Sequence, residues 1–253
     1  QLSMVPLIVI LMVGIIAAVL ISPIRKVWVP PVRPQLRCNM HNVLSNSYYY
    51  GSFSSMDAGV LMLGTGTPNA NPDRYGPSLV VFANDQPYLV DAGAGLVRRF
   101  ALSQSCDFNN MRLQALNIAF ITHLHSDHTI GLPDVLLSPW VLERDKPLQL
   151  YGPLGLGNMT KYISAAYSED IQVRLNGLEP INTGGYLTNV NEIQPDEFGE
   201  LQKVYSDENV TVKAFKVDHG SWKYAFGYVF AIVNRKSGLT TNIVISGDTT
   251  YSQ

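Results

Sequence analysis

Cysteine is scarce in this chain: Cys38 and Cys106 are the only two in 253 residues. They lie far apart and neither has a C-x-x-C partner, so neither a disulfide framework nor a thiolate metal site is indicated, and one disulfide between the pair is the sole option left open. Lysine and arginine form no long run. With 18 basic and 20 acidic side chains the net charge is −2, and nothing in this balance draws nucleic acid to the molecule as a whole. No internal repeat at a solenoid or propeller period is visible, which excludes those architectures. The apolar and charged fractions, 46% and 15%, are those of an ordinary folded protein with a sizeable core.

What is present is concentrated in one place. Thr122-His123-Leu124-His125-Ser126-Asp127-His128-Thr129 sets three imidazoles and a carboxylate directly behind the apolar run Asn117-Ile118-Ala119-Phe120-Ile121. Neutral imidazoles and ionised carboxylates are ligands that zinc, manganese and iron share. Without a metal, imidazoles so crowded would be desolvated and would repel one another once protonated. Residues two apart point the same way on an extended chain, so His123 and His125 can grip one ion while Asp127 and His128 lie one turn further on. Two adjacent metal positions are the expectation. The rival reading makes these surface or supporting histidines, which fits one isolated His better than H-x-H-x-D-H after a strand.

The N-terminus departs from this composition. Val5 to Ile21 is apolar apart from Pro6 and Gly14, and at about 1.5 Å per residue it spans most of a hydrocarbon core of about 30 Å. Residues 1–24 read as a transmembrane anchor or a signal segment, with a buried core helix as the third reading. Residues 25–57, proline-rich and then rich in Ser, Tyr and Asn, read as a linker. Arg25, Lys26, Arg33 and Arg37 behind the apolar segment favour a cytoplasmic domain. Asn158-Met159-Thr160 and Asn209-Val210-Thr211, which match the glycosylation tripeptide, favour the opposite side. The expectation is a membrane-anchored or exported protein with an extracytoplasmic domain over residues 58–253.

That domain begins with short apolar runs bounded by Gly, Pro and Asn, at Val60 to Leu63, Ser78 to Ala83 and Tyr88 to Val90, which read as strands. Helices are expected over Gly95 to Leu102, Ile130 to Leu137 and about Asn158 to Tyr167, with strands at Asn117 to Thr122 and Leu148 to Tyr151. Later strands follow at Asn209 to Val217, Tyr224 to Val233 and Thr241 to Ser246. This order makes an α/β fold. His219 and Asp248 each sit just past a predicted strand, as the histidine cluster does, and strand ends are where such a fold builds its site. Asp248 also suits an Asx turn or a helix cap.

Residues 59 to 250 resemble the metallo-β-lactamase superfamily, and within it the ribonuclease Z and arylsulfatase-like branch. The resemblance rests on Leu63-Gly64-Thr65-Gly66-Thr67-Pro68, Val90-Asp91-Ala92-Gly93, the cluster at 123 to 128 with Gly131-Leu132-Pro133 behind it, His219 with Gly227-Tyr228, and Ser246-Gly247-Asp248-Thr249. It implies an αββα sandwich in which His123, His125 and His219 hold one divalent ion, most suitably zinc. Asp127, His128 and a bridging Asp248 would hold a second. The family's last histidine ligand would lie beyond Gln253, so the sandwich and the second site are expected to be incomplete here. Asp91 is expected to orient ligands through hydrogen bonds, a strand-terminal turn being the alternative. The Gly64 to Pro68 turn carries a lesser reading as a phosphate cradle.

Two ions bridged by a carboxylate would supply a metal-bound hydroxide at neutral pH, with Asp127 orienting it and handling its proton, so hydrolysis is the reaction class that fits. Seven acidic residues and one Lys lie between Glu179 and Glu208, a balance that disfavours an RNA substrate. The reading is therefore a hydrolase of a small ester, sulfate ester or phosphodiester. The alternatives are a ribonuclease Z-like tRNA 3′ endonuclease and a non-catalytic, membrane-tethered metal-binding module.

Overall fold

In Ser78-Leu79-Val80-Val81-Phe82-Ala83 both faces are apolar, the pattern of a strand covered on each side. The computed structural model buries it in that way, between helices and a second sheet. The structure describes residues 58–84, 86–104, 112–178, 181–194 and 200–250, all within one unit, Leu44–Gln253. The apolar segment at 1–24, the linker at 25–57 and both cysteines lie outside the described residues. Among the described residues no helix is long and apolar enough to cross a membrane.

The first sheet has six strands in chain order: β1 (Ala58–Gly64), β2 (Ser78–Ala83), β3 (Gln86–Val90), β4 (Ile118–Phe120), β5 (Leu148–Pro153) and β6 (Thr188–Ile193). β1 to β3 form an antiparallel meander, and β3 to β6 run parallel. The second sheet is antiparallel in the order β10-β9-β8-β7, from β7 (Gln202–Ser206), β8 (Val210–Lys216), β9 (Phe226–Val233) and β10 (Thr240–Ile245). Phe226, Tyr228, Phe230 and Ile232 alternate along β9, so one face of that strand is wholly apolar and buried. They meet Val81, Tyr88, Val90 and Phe120 of the first sheet. The Phe120 ring stands edge-on to Phe230 at 5.4 Å and stacks on Tyr151 at 5.1 Å. Each such side chain contributes roughly 1.5–3 kcal/mol by leaving water.

Helices cover the other face of the first sheet: α1 (Leu96–Gln104), α3 (Leu132–Val141) and α4 (Leu156–Ala166), with α2 (Ser126–Thr129) and α5 (Ser168–Asn176) beside them. α1 lies on β1, α4 on β6, and α3 touches both helices. Pro139 inside α3 has no N–H to offer the Val135 carbonyl four residues back. The fully buried Arg144 makes good that loss, donating to Val135 O and also to the Leu116, Leu136 and Gly185 carbonyls. Burial pushes its pKa down to about 10, which leaves it protonated at neutral pH.

Three of the four expected layers are seen. Beyond β6 the described residues form strands only, and the far face of the second sheet is exposed at Val233 and Val244. α5, β6 and β7 were not expected from the sequence. All three are polar: β6 reads Thr-Asn-Val-Asn-Glu-Ile, and α5 buries only Ile171. The two glycosylation tripeptides part company. Asn158 is exposed in the first turn of α4, but Asn209 is buried, its Oδ1 accepting from Asn84 and Arg235. The folded Asn209 has no face to offer a glycan.

Candidate metal centre

The site lies where strands end. Asp91 follows β3, Thr122 to His128 follow β4, His219 follows β8 and Asp248 follows β10, the crevice in which open α/β sheets place ligands. One backbone tie joins the two sheets there, and another joins two loops of the second sheet. Phe226 N donates to Thr122 O at 2.9 Å, and Thr250 N donates to Asp218 O at 2.8 Å, joining the Gly-Asp-Thr loop to the His219 loop. Close backbone approach explains the glycine motifs. A Cβ on Gly93 would overlap the Gly76–Pro77 backbone, and one on Gly131 would come 2.5 Å from Gly93 O. Gly64 likewise runs against the Gly76 carbonyl, so the Gly64 to Pro68 turn is glycine-rich for packing, without any need of a phosphate.

Three imidazoles from the two sheets converge. His123 Nε2 is 2.8 Å from His125 Nδ1, and His219 Nε2 is 3.2 Å from the same atom. A second set, formed by His123, His128 and Asp248, also has its ligand atoms within 4.8 Å of one another. His123 thus belongs to both. Asp127 stands beside the second set, its Oδ2 3.7 Å from His128 Nε2, while Asp248 Oδ1 is 3.5 Å from that nitrogen. His128 Nε2 is buried and, among the described residues, has no hydrogen-bond partner. A buried nitrogen lone pair facing two carboxylates fits a divalent cation, and so does the three-imidazole set.

Asp91 governs this arrangement from behind. Its carboxylate, buried at 6% exposure, accepts from Thr122 N at 2.8 Å, from Thr122 Oγ1, and from His128 Nδ1 at 2.8 Å. In the neutral ring the last bond keeps the His128 proton on Nδ1 and leaves Nε2 bare toward the site. Asp91 adopts φ +59°, a left-handed conformation that Asp and Asn tolerate better than most side chains. Burial raises its pKa, against the donors from His128 and Thr122. Burial alone would lower that of His128, but the Asp91 bond and charge, with Asp248 and Asp127, outweigh it and raise the imidazole above 6.5. Burial first, then the neighbouring imidazoles, hold His123 down at about 3, so it is neutral and able to bind metal across the physiological range.

Every residue singled out in the sequence for this site is brought to it. Two participants were not anticipated. Trp222 donates its indole N–H to His125 Nε2 at 2.6 Å, and Thr122 joins Asp91 to His123. Trp222 follows three residues after His219 in a turn with no recognisable spacing. Thr122 was visible only as the residue before the cluster.

Comparison with known proteins agrees with the site. The family model for the Anti-Pycsar protein Apyc1 matches residues 58–253. Ribonuclease Z of Mycobacterium marinum (strain ATCC BAA-535 / M) is 32% identical over 165 residues, covering 63% of this chain and 54% of the relative. Ribonuclease Z of Mycobacterium bovis (strain BCG / Pasteur 1173P2) is 31% identical over 193 residues, covering 75% and 62%. The chain therefore spans between about half and three fifths of the length of these curated relatives. The crystal structure of the short form of human tRNase Z superposes with a TM-score of 0.55 at 25% identity, over 75% of this chain and 68% of that one. Taken with the strand-end histidines and carboxylates, these matches establish that the chain belongs to the Apyc1 family, within the ribonuclease Z branch of the metallo-β-lactamase superfamily.

Proposed function

We propose that the chain carries the metal centre of a phosphodiester hydrolase. The observation that carries this reading is the pair of adjacent ligand sets sharing His123. A divalent ion held there supplies Lewis acidity and a nucleophile drawn from water at neutral pH. The protein's own groups do the rest. His123, His125 and His219 would hold one ion, and His128 with Asp248 and Asp127 would hold the other. Asp127, at the edge of the second set, would accept the proton of the attacking water. Asp91 keeps His128 aimed.

Of the ester classes that suit such a site, the phosphodiester is favoured because the relatives are named ribonuclease Z and tRNase Z. The acidic stretch that weighed against RNA loses force in the fold. Glu192 Oε1 accepts from Gly155 N and Gly157 N at the start of α4, and Asp207 accepts from Tyr88, Tyr205, Asn209 N and Val210 N. Those two charges serve turns and a helix end, and with the names of the relatives this makes RNA 3′-end cleavage the second reading. Membrane attachment through residues 1–24 and an extracytoplasmic location remain part of the proposal.

The test compares bis(4-nitrophenyl) phosphate, 4-nitrophenyl sulfate, 4-nitrophenyl acetate and an RNA carrying a 3′ trailer, with zinc supplied. Zinc-dependent turnover of the phosphodiester above both other esters supports the reading, and faster cleavage of the RNA narrows it to an endonuclease. Preference for the sulfate or acetate ester overturns it.

A further inference from the structure

Thr122 is 1% exposed, and its hydroxyl lies between two groups that the metal reading treats separately. Oγ1 is 3.0 Å from Asp91 Oδ1, 2.9 Å from Asp91 Oδ2 and 3.0 Å from His123 Nδ1. A hydroxyl has one proton to give, and a carboxylate can only accept, so that proton goes to Asp91. The remaining lone pair faces His123 Nδ1, which must then be the protonated nitrogen of that ring. His123 Nε2 is left bare, and it is the atom aimed at His125.

The same polarity follows from the other end of the chain of bonds. An indole N–H only donates, so Trp222 fixes His125 Nε2 as an acceptor and puts the His125 proton on Nδ1. From there it points at His123 Nε2, 2.8 Å away. Donor-only and acceptor-only ends thus agree on one direction, from Trp222 through His125, His123 and Thr122 to Asp91. The threonine methyl is held as well. A Cβ on Gly247 would lie 2.9 Å from Thr122 Cγ2, so the Gly-Asp-Thr loop packs on that face and the stiff β-branched side chain cannot swing its hydroxyl away.

We infer that Thr122 Oγ1 is the link through which Asp91 sets the tautomer of His123, so that one buried carboxylate orients an imidazole of each ligand set: His128 directly and His123 through Thr122. Thr122 is a positioning residue for the ion held by His123, His125 and His219, and in that consequence the inference rests on the metal-centre reading. Thr122→Val keeps the shape and the backbone N–H to Asp91 but removes the hydroxyl, whereas Thr122→Ser keeps the hydroxyl.

Long-range ¹H–¹⁵N NMR of the metal-free protein reads the tautomer, and zinc titration against a chromophoric chelator reads the affinity. The wild type and T122S are expected to show His123 protonated on Nδ1, and T122V a mixture of tautomers. Zinc affinity in T122V is expected to fall about 10- to 100-fold, the usual effect of losing an orienting partner, with T122S at the wild-type value. A wild-type His123 protonated on Nε2 overturns the link without any variant. So does a T122V protein that keeps the Nδ1–H tautomer and the wild-type affinity, or a T122S protein that loses as much as T122V. A wild type that takes up no zinc while His123 stays protonated on Nδ1 contradicts the metal-centre reading and upholds the link.

Discussion

Asp91→Asn isolates what one buried charge does for the site. The amide matches the carboxylate in size and tolerates the left-handed conformation at φ +59°, so the backbone has no reason to move. One oxygen can still accept from Thr122 N. The new NH₂, in the place of Oδ2, however, faces His128 Nδ1, which donates to the native carboxylate, while Thr122 Oγ1, 3.0 Å from Oδ1, can still donate to the oxygen that remains. One hydrogen bond to a charged acceptor is lost at roughly 1.5–3 kcal/mol, so the metal-free protein should lose about that much stability. Zinc affinity should fall about 10- to 100-fold, or about 1.4–2.7 kcal/mol. The stability loss depends on pH in a definite sense. His128 is raised above 6.5 in the folded chain, so its pairing with Asp91 contributes fully below pH 6.5 and fades as pH rises through the raised value. Urea unfolding of chelator-treated wild type and D91N across pH 5 to 9 measures this. A gap that stays constant or widens with rising pH, or a D91N protein with wild-type zinc affinity, would rule out this role for the Asp91 charge.

Three further outcomes follow from the same geometry. Gly93→Ala forces a methyl group into the Gly76–Pro77 backbone and should cost about 1–3 kcal/mol in thermal unfolding, with zinc affinity reduced because Asp91 shifts; unchanged unfolding would contradict the close approach. Arg144→Met leaves the Val135, Leu136, Leu116 and Gly185 carbonyls without this donor. At about 1–3 kcal/mol for each unsatisfied buried group, denaturant unfolding should show one of the largest single-residue losses in the domain. Were His125 Nδ1 to hold an ion, that ring's proton would have to sit on Nε2, where it would displace the Trp222 indole N–H. Zinc should therefore change tryptophan fluorescence in the wild type and leave Trp222→Phe without that change, and equal changes in both would count against it.

The H-x-H-x-D-H cluster was legible because ligand chemistry and strand periodicity act over neighbouring residues, and His219 and Asp248 because they repeat the placement at strand ends. The strands β8 and β9 were legible individually, but their packing as a second sheet of a sandwich was implied only by the resemblance. Elements stabilised by context were not. β6 and β7 are polar strands held by pairing with β5 and β8, and α5 buries a single isoleucine, so none carries a periodic signal. Thr122 acts through bonds to Asp91 that exist only once β3 and β4 pair, and Trp222 through one that exists only once the loop after β4 meets the His219 loop. Counting the charges between Glu179 and Glu208 could not show that Glu192 and Asp207 accept from the protein's own backbone amides. The tripeptide at Asn209 failed for a related reason, a surface motif in sequence that the fold buries.

In the proposed metal centre one ion is held jointly by the loop after β4 and the loop after β8, across both sheets. Equilibrium zinc titration of the wild type, His125→Ala and His219→Ala tests it most directly, with circular dichroism confirming that each variant is folded. The wild type is expected to bind a tight ion, and either substitution alone to abolish that binding. Wild-type affinity in a folded His219→Ala protein would contradict it.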